Sequence, residues 1–160
     1  INELPIYQNV TSPVLKNFVK KGVVDVDDEM NKSIELCEKI QLKAKDIEAT
    51  PASLSGGNQQ KVVFAKLLNC DLKVLILDEP TKGIDVGAKY SIYEIMNELA
   101  SNGYTIIMVS SEMPEVLGMA DRIVVMSSGR VTDSFSIKEA TQERILEASL
   151  KKQTSEVKGE

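Results

Sequence analysis

Two short stretches of this sequence combine residue types suited to handling phosphate. The first is Leu77-Asp78-Glu79-Pro80-Thr81, where the apolar run Val74-Leu75-Ile76-Leu77 delivers two adjacent carboxylates and proline then stops it. One carboxylate can hold Mg²⁺, usually through water, while the next orients or deprotonates an attacking water. The plainer reading is a strand end turning into solvent, and alone the stretch does not decide between the two. The second is Leu54-Ser55-Gly56-Gly57-Asn58-Gln59-Gln60-Lys61. Ser55 is a helix-capping residue type, and the two glycines let a phosphate approach bare amides. A helix opening there turns its positive end toward that phosphate. A bare Ser-Gly-Gly is mostly loop, but eight residues in this order at the head of a periodic helix are far more specific.

Composition removes other chemistries. Among 160 residues there is no histidine, which excludes any mechanism needing an imidazole base or ligand. A formal net charge of −5 and a pI of 4.9 argue against a nucleic-acid or polybasic membrane footprint. The longest apolar runs have four residues, whereas a spanning helix needs about 20. Cys37 and Cys70 match no metal-ligand spacing and are expected to be reduced core thiols.

The elements that must position these stretches follow from periodicity. Residues 1–49 are expected to be mostly helical. A first helix opens at Ser12-Pro13 and stops at Gly22, and a second begins near Asp27 or Asp28 with apolar positions Met30, Ile34, Leu36, Cys37 and Ile40. After Thr50-Pro51 the pattern changes to alternating helix and strand. The helix after Ser55 is expected to put Val63, Phe64, Leu67 and Leu68 on one stripe. Val74–Leu77 and Thr105–Val109 read as strands covered on both faces. Helices are expected over Ala88–Ser101 and Met113–Met119. Ile123–Met126 and Val131–Phe135 flank a Ser127-Ser128-Gly129-Arg130 turn, and Thr141 opens a last helix to about Leu150. Residues 136–139 match a capping box, and residues 151–160 are expected to fray. Strand, helix, strand, helix, strand predicts an α/β fold with a parallel sheet, whose chemistry sits at the carboxyl ends of its strands.

Together the two stretches resemble the ATP-binding cassette superfamily. Leu54–Lys61 is similar to its signature sequence, and Val74–Glu79 to its Walker B strand with the catalytic glutamate. Lys82-Gly83-Ile84-Asp85 falls where the family has its D-loop. The resemblance covers about Leu54 to Phe135 and implies a partial P-loop NTPase core plus part of the helical signature subdomain. The implied organisation is residues 1–70 ending in the signature helix, 71–135 carrying Walker B, D-loop and switch, and 136–160 as terminal helix and tail. The stretches from Leu77 to Lys89 and from Val109 to Gly118 are similar to the second cassette of bacterial monosaccharide importer ATPases (ribose, galactose and xylose type).

The resemblance implies roles residue by residue. Glu79 would be catalytic, Asp78 would hold Mg²⁺ through water, and Asp85 would be the D-loop aspartate. Ser55, Gly56, Gly57, Gln59 and Gln60 would contact ATP held by a partner cassette. Implied partners are the amino-terminal cassette of the same subunit or a second copy, membrane permease subunits and, indirectly, a periplasmic sugar-binding protein, with no nucleic acid. The implied location is the cytoplasmic face of the membrane. Two departures stand out. None of the nine glycines precedes a lysine, so the chain holds no Walker A loop, GxxxxGK[ST]. With Ile1 in place of an initiator Met, this predicts a piece of a longer protein that is inactive alone. Ser111 also stands where most active cassettes have a switch histidine, which predicts one competent and one impaired ATP site. The alternatives are a cassette ATPase serving nucleic acid or translation, or a catalytically silent assembly half.

Overall fold

The computed structural model describes residues 1–150, so the tail expected over 151–160 lies outside the described residues. The chain forms two compact units, Ile1–Val109 and Ser110–Glu160.

The first unit starts with helix α1 (Ile6–Thr11), a 3-10 segment over Ser12–Phe18 with Pro13 in its first turn, and a small antiparallel hairpin of β1 (Val19–Lys20) and β2 (Val23–Val24). The helix expected from Ser12 to Gly22 thus starts where expected but forms as a 3-10 helix that stops at Phe18, and the hairpin takes the remaining residues. Lys21 and Gly22 both take positive φ (54° and 84°), which closes a two-residue turn between the strands. Helix α2 (Val26–Lys39) begins one or two residues earlier than expected, because the Asp25 side chain accepts from the Asp28 amide and caps it. Lys20 binds the same carboxylate at 2.8 Å and holds Asp25 below the usual carboxylate range.

Helix α3 (Gly56–Leu68) packs against α1 and α2 through Val62, Phe64 and Ala65. The expected stripe is shifted: Val63 is 44% exposed, while Phe64 is 1% exposed. The polar residues buried among these helices are bonded. The Thr11 hydroxyl donates to the Glu29 carboxylate, and Ser33 Oγ donates to the Tyr7 and Glu29 carbonyls at 3.2 and 2.9 Å. Asn9 Nδ2 donates to the carbonyls of Ile1, Leu4 and Pro5 at 2.8–3.1 Å. The Lys61 ammonium, buried on α3, donates to the Gln41 carbonyl at 3.0 Å.

Strands β3 (Val74–Asp78) and β4 (Thr105–Val109) pair in parallel, with Asp78 opposite Val109, and helix α4 (Val86–Ser101) crosses between them. Only one face of this pair is covered. Leu75 and Leu77 are buried, but Val74, Ile76, Ile107 and Val109 are at least 49% exposed, Ile76 reaching 71%. Coverage of both faces is therefore not seen within this stretch of chain.

In the second unit, helix α5 (Met113–Met119) precedes β5 (Arg122–Ser127) and β6 (Arg130–Ser136), an antiparallel hairpin, and α6 (Gln142–Leu150) follows. Positive φ at Ser128 and Gly129 closes the expected hairpin. The third strand thus pairs with its neighbour in sequence and not with β3 or β4, so the parallel sheet has two described strands. Ile123, Val125, Phe135, Ile145 and Ala148 form this unit's core. The Glu139 carboxylate accepts from the Ser136 amide at 3.4 Å, one half of a capping box, and from Ser136 Oγ at 2.6 Å, yet the chain turns there, and Thr141 caps α6 through the Arg144 amide.

Candidate functional site

Local sequence explains how the carboxylates are presented. β3 ends at Asp78, and the next residue, Glu79, takes φ +47°, in the left-handed region that non-glycine residues rarely occupy. Its amide donates to the Val109 carbonyl at 2.8 Å, and its own carbonyl accepts from the Lys82 amide at 3.1 Å. The ladder to β4 and the following turn therefore hold a conformation that costs about 1–2 kcal/mol. The result reverses the chain at Glu79 and leaves its side chain half-buried, with Asp78 exposed beside it and Pro80 and Thr81 buried behind.

Asp78 fits a Mg²⁺ role by its chemistry. No cluster of three metal-ligating side chains occurs among the described residues. Mg²⁺ needs none, since it keeps several waters and takes one or two carboxylates plus substrate phosphate oxygens.

The two helix starts in this unit differ. Asp85 precedes α4, and its Oδ1 accepts from the Ala88 amide at 3.0 Å, closing that helix end internally. Ser55 precedes α3 but makes no such cap. Its hydroxyl accepts from Asn58 Nδ2 at 3.1 Å. The capping role expected of Ser55 is thus absent, and the first turn of α3 keeps an N-terminus open to an anion. Asn58 is tied down in turn, its Oδ1 accepting from the Lys43 amide at 3.1 Å, and Gln59 Nε2 donates to the Leu54 carbonyl at 3.0 Å. Gln60 is half-buried one residue further along α3.

The fold brings the Ser55–Gln60 stretch and the Lys82–Asp85 loop together. A Cβ on Gly56 would lie 3.8 Å from the Gly83 carbonyl oxygen, and one on Gly57 only 2.5 Å from Ala88 Cβ. Gly56 is exposed and Gly57 buried, so the two glycines are not equivalent. Ala88 was missed by sequence reasoning. The signal available was Gly87-Ala88, two small residues in the first turn of α4.

Ser111 lies in the second unit, exposed. The Ser110 hydroxyl beside it donates to the buried Glu115 carboxylate and accepts from the Glu112 amide at 3.0 Å. Of the two cysteines, Cys37 is buried and its thiol is pushed up to about 11 by that burial. Cys70 is only half-buried, so it is not the core thiol expected.

Comparison with known proteins adds three findings. The profile of a family described as "ABC transporter" matches residues 2–82. The chain is 54% identical over 144 residues to a xylose import ATP-binding protein of Geobacillus kaustophilus (strain HTA426), covering 90% of this chain and 29% of that protein. It is 50% identical over 141 residues to a ribose import ATP-binding protein of Bacillus subtilis (strain 168), covering 88% of this chain and 29% of that protein. The chain therefore spans about 30% of the length of the curated relatives it matches. Among solved structures, a dimeric ATP-binding cassette in a post-hydrolysis state bound to ADP and Pi superposes with a TM-score of 0.71 at 22% identity, over 86% of this chain and 58% of that one. An ATP-binding cassette of an ABC transporter gives 0.74 at 22% identity, over 92% and 63%. At that identity the likeness is one of fold, and it bears out the expected α/β cassette core.

Proposed function

Since this chain belongs to the ABC transporter family, we propose that it forms the carboxyl-terminal part of the ATP-binding subunit of a bacterial monosaccharide importer, coupling ATP binding and hydrolysis to sugar uptake. The observation that carries this reading is identity of about one half with ribose and xylose import ATP-binding proteins along nearly the whole chain. The loops built around Glu79 and Ser55 supply the chemistry it needs.

In this reading Glu79 orients the attacking water and takes its proton. The left-handed backbone aims its carboxylate while Pro80 and Thr81 are locked beneath it. Asp78 would hold Mg²⁺, which when bound would supply positive charge against the phosphate oxygens. Asp85 keeps the Lys82–Asp85 loop in place by closing α4. The open first turn of α3, with Ser55, Gly56, Gly57, Gln59 and Gln60, faces ATP held by a partner cassette, either the amino-terminal one of the same subunit or a second copy. Permease subunits and a periplasmic sugar-binding protein complete the assembly, at the cytoplasmic face of the membrane. No helix among the described residues is long and apolar enough to cross a membrane. A role in nucleic-acid or translation work finds no support in a net charge of −5.

The test is reconstitution of the full-length subunit with its permease in vesicles. ATPase activity should rise when sugar-loaded binding protein is added and stay flat with DNA or RNA. Stimulation by nucleic acid and none by binding protein would overturn the importer reading.

A further inference from the structure

Gly57 meets α4 more closely than any side chain allows. A Cβ there would sit 2.5 Å from Ala88 Cβ, while its other neighbours, Ile84 Cγ2 and Ala88 Cα, would be at 3.6 and 3.7 Å, ordinary contact distances. One methyl group is thus the whole obstacle. Ala88 is held from its other side as well, its amide donating to the Asp85 side chain at 3.0 Å. Next in sequence, Gly56 lies against the Gly83 carbonyl without crowding it, a Cβ being 3.8 Å away. The start of α3 and the start of α4 therefore touch at consecutive residues, and only the inner contact demands glycine.

We propose that Ala88 is a positioning residue for the Ser55–Gln60 loop: the Gly57–Ala88 joint sets where the open N-terminus of α3 stands relative to the Lys82–Asp85 loop. Gly57 must be glycine because of this joint, whereas Gly56 is exposed and uncrowded. The catalytic part of the proposal rests on the reading of Ser55–Gln60 as a loop facing ATP. Glycine at 57 and alanine at 88 are matched in size, so moving the methyl from one helix to the other preserves the packing. Gly57→Ala gains helix propensity by about as much as Ala88→Gly loses, and the exchange is nearly neutral on that count.

A double-mutant cycle in the full-length subunit with its permease tests this. Gly57→Ala should lower kcat by about 10²-fold, the effect of an ångström-scale misplacement, and should lower Tm. Gly57→Ala combined with Ala88→Gly should regain most of that kcat and of the Tm, with Ala88→Gly alone closing the cycle. Turnover is measured well below the lowest Tm, so that loss of folded protein does not enter. If the double variant regains Tm but not kcat, or regains neither, Ala88 does not position the loop. The reading of the loop itself is checked separately by Ser55→Ala. If Ser55→Ala abolishes turnover while the double variant fails to recover, the joint is wrong and the loop's role stands. If Ser55→Ala and Gly57→Ala both leave turnover intact, the loop does not face ATP and the positioning role falls with it.

Discussion

Cys37 and Cys70 differ in burial at the residue scale, and their reactivity should follow. The Cys37 thiol, pushed up to about 11, is almost wholly protonated at pH 8, and the thiolate is the nucleophile. Iodoacetamide at pH 8 should therefore label Cys70 in the folded protein and spare Cys37 until the pH approaches 11 or the chain unfolds. Peptide mass spectrometry reads this directly, and equal labelling at pH 8 would refute it. Thr11 poses a second question at this scale. Its hydroxyl donates to the Glu29 carboxylate, which is buried between α1 and α2. Thr11→Val keeps the volume but removes the donor, so urea unfolding should show a loss of about 1–3 kcal/mol, the cost of stranding a buried acceptor. A change within experimental error would mean that the carboxylate is satisfied elsewhere.

At the element scale, helix α3 shows how packing selects a face. Phe64 is 1% exposed against α1 and α2, whereas Val63 on the preceding position is 44% exposed. Phe64→Ala should cost about 3–5 kcal/mol through lost transfer and a residual cavity. Val63→Ala should stay within about 0.5 kcal/mol, as surface changes do. Comparable losses at both sites would mean that the helix buries a different face. The same helix opens on Ser55, whose hydroxyl is engaged with Asn58 and not with its own first turn. Helix α4 is closed by Asp85 instead. Both starts carry residue types that favour N-caps, and only one is capped.

The whole molecule raises the question of which ATP site each residue serves. On the proposed reading Ser55 acts on ATP held by the partner cassette, while Glu79 acts on ATP held by its own, and the sequence carries Ser111 in place of the family's switch histidine. Removal of a transition-state donor typically costs about 10²–10³-fold, but only at a site that turns over. In the full-length subunit with its permease, Ser55→Ala should abolish most ATPase activity and Glu79→Gln should cost much less. Steady-state ATPase assays on the two variants compare them, and equal loss would show that both sites are catalytic.

Much of this was legible in the residues because the information is local. Asp78-Glu79-Pro80 at the end of an apolar run, Asp85 before a periodic helix, and Ser128-Gly129 between two alternating stretches each encode their geometry within a few residues, and the chain adopts it. Caps and two-residue turns are set by hydrogen bonds and φ preferences that act over one turn of chain. Contacts between distant segments were not legible. An apolar run such as Val74–Leu77 looks the same whether one face or two are covered, and its parallel register with Thr105–Val109 appears only in the folded chain. Likewise Ser-Gly-Gly reads as two equivalent glycines. The approach of α4 made them different, pressing Ala88 onto Gly57 and leaving Gly56 open, because close packing is a property of two surfaces meeting and neither surface encodes its partner by itself.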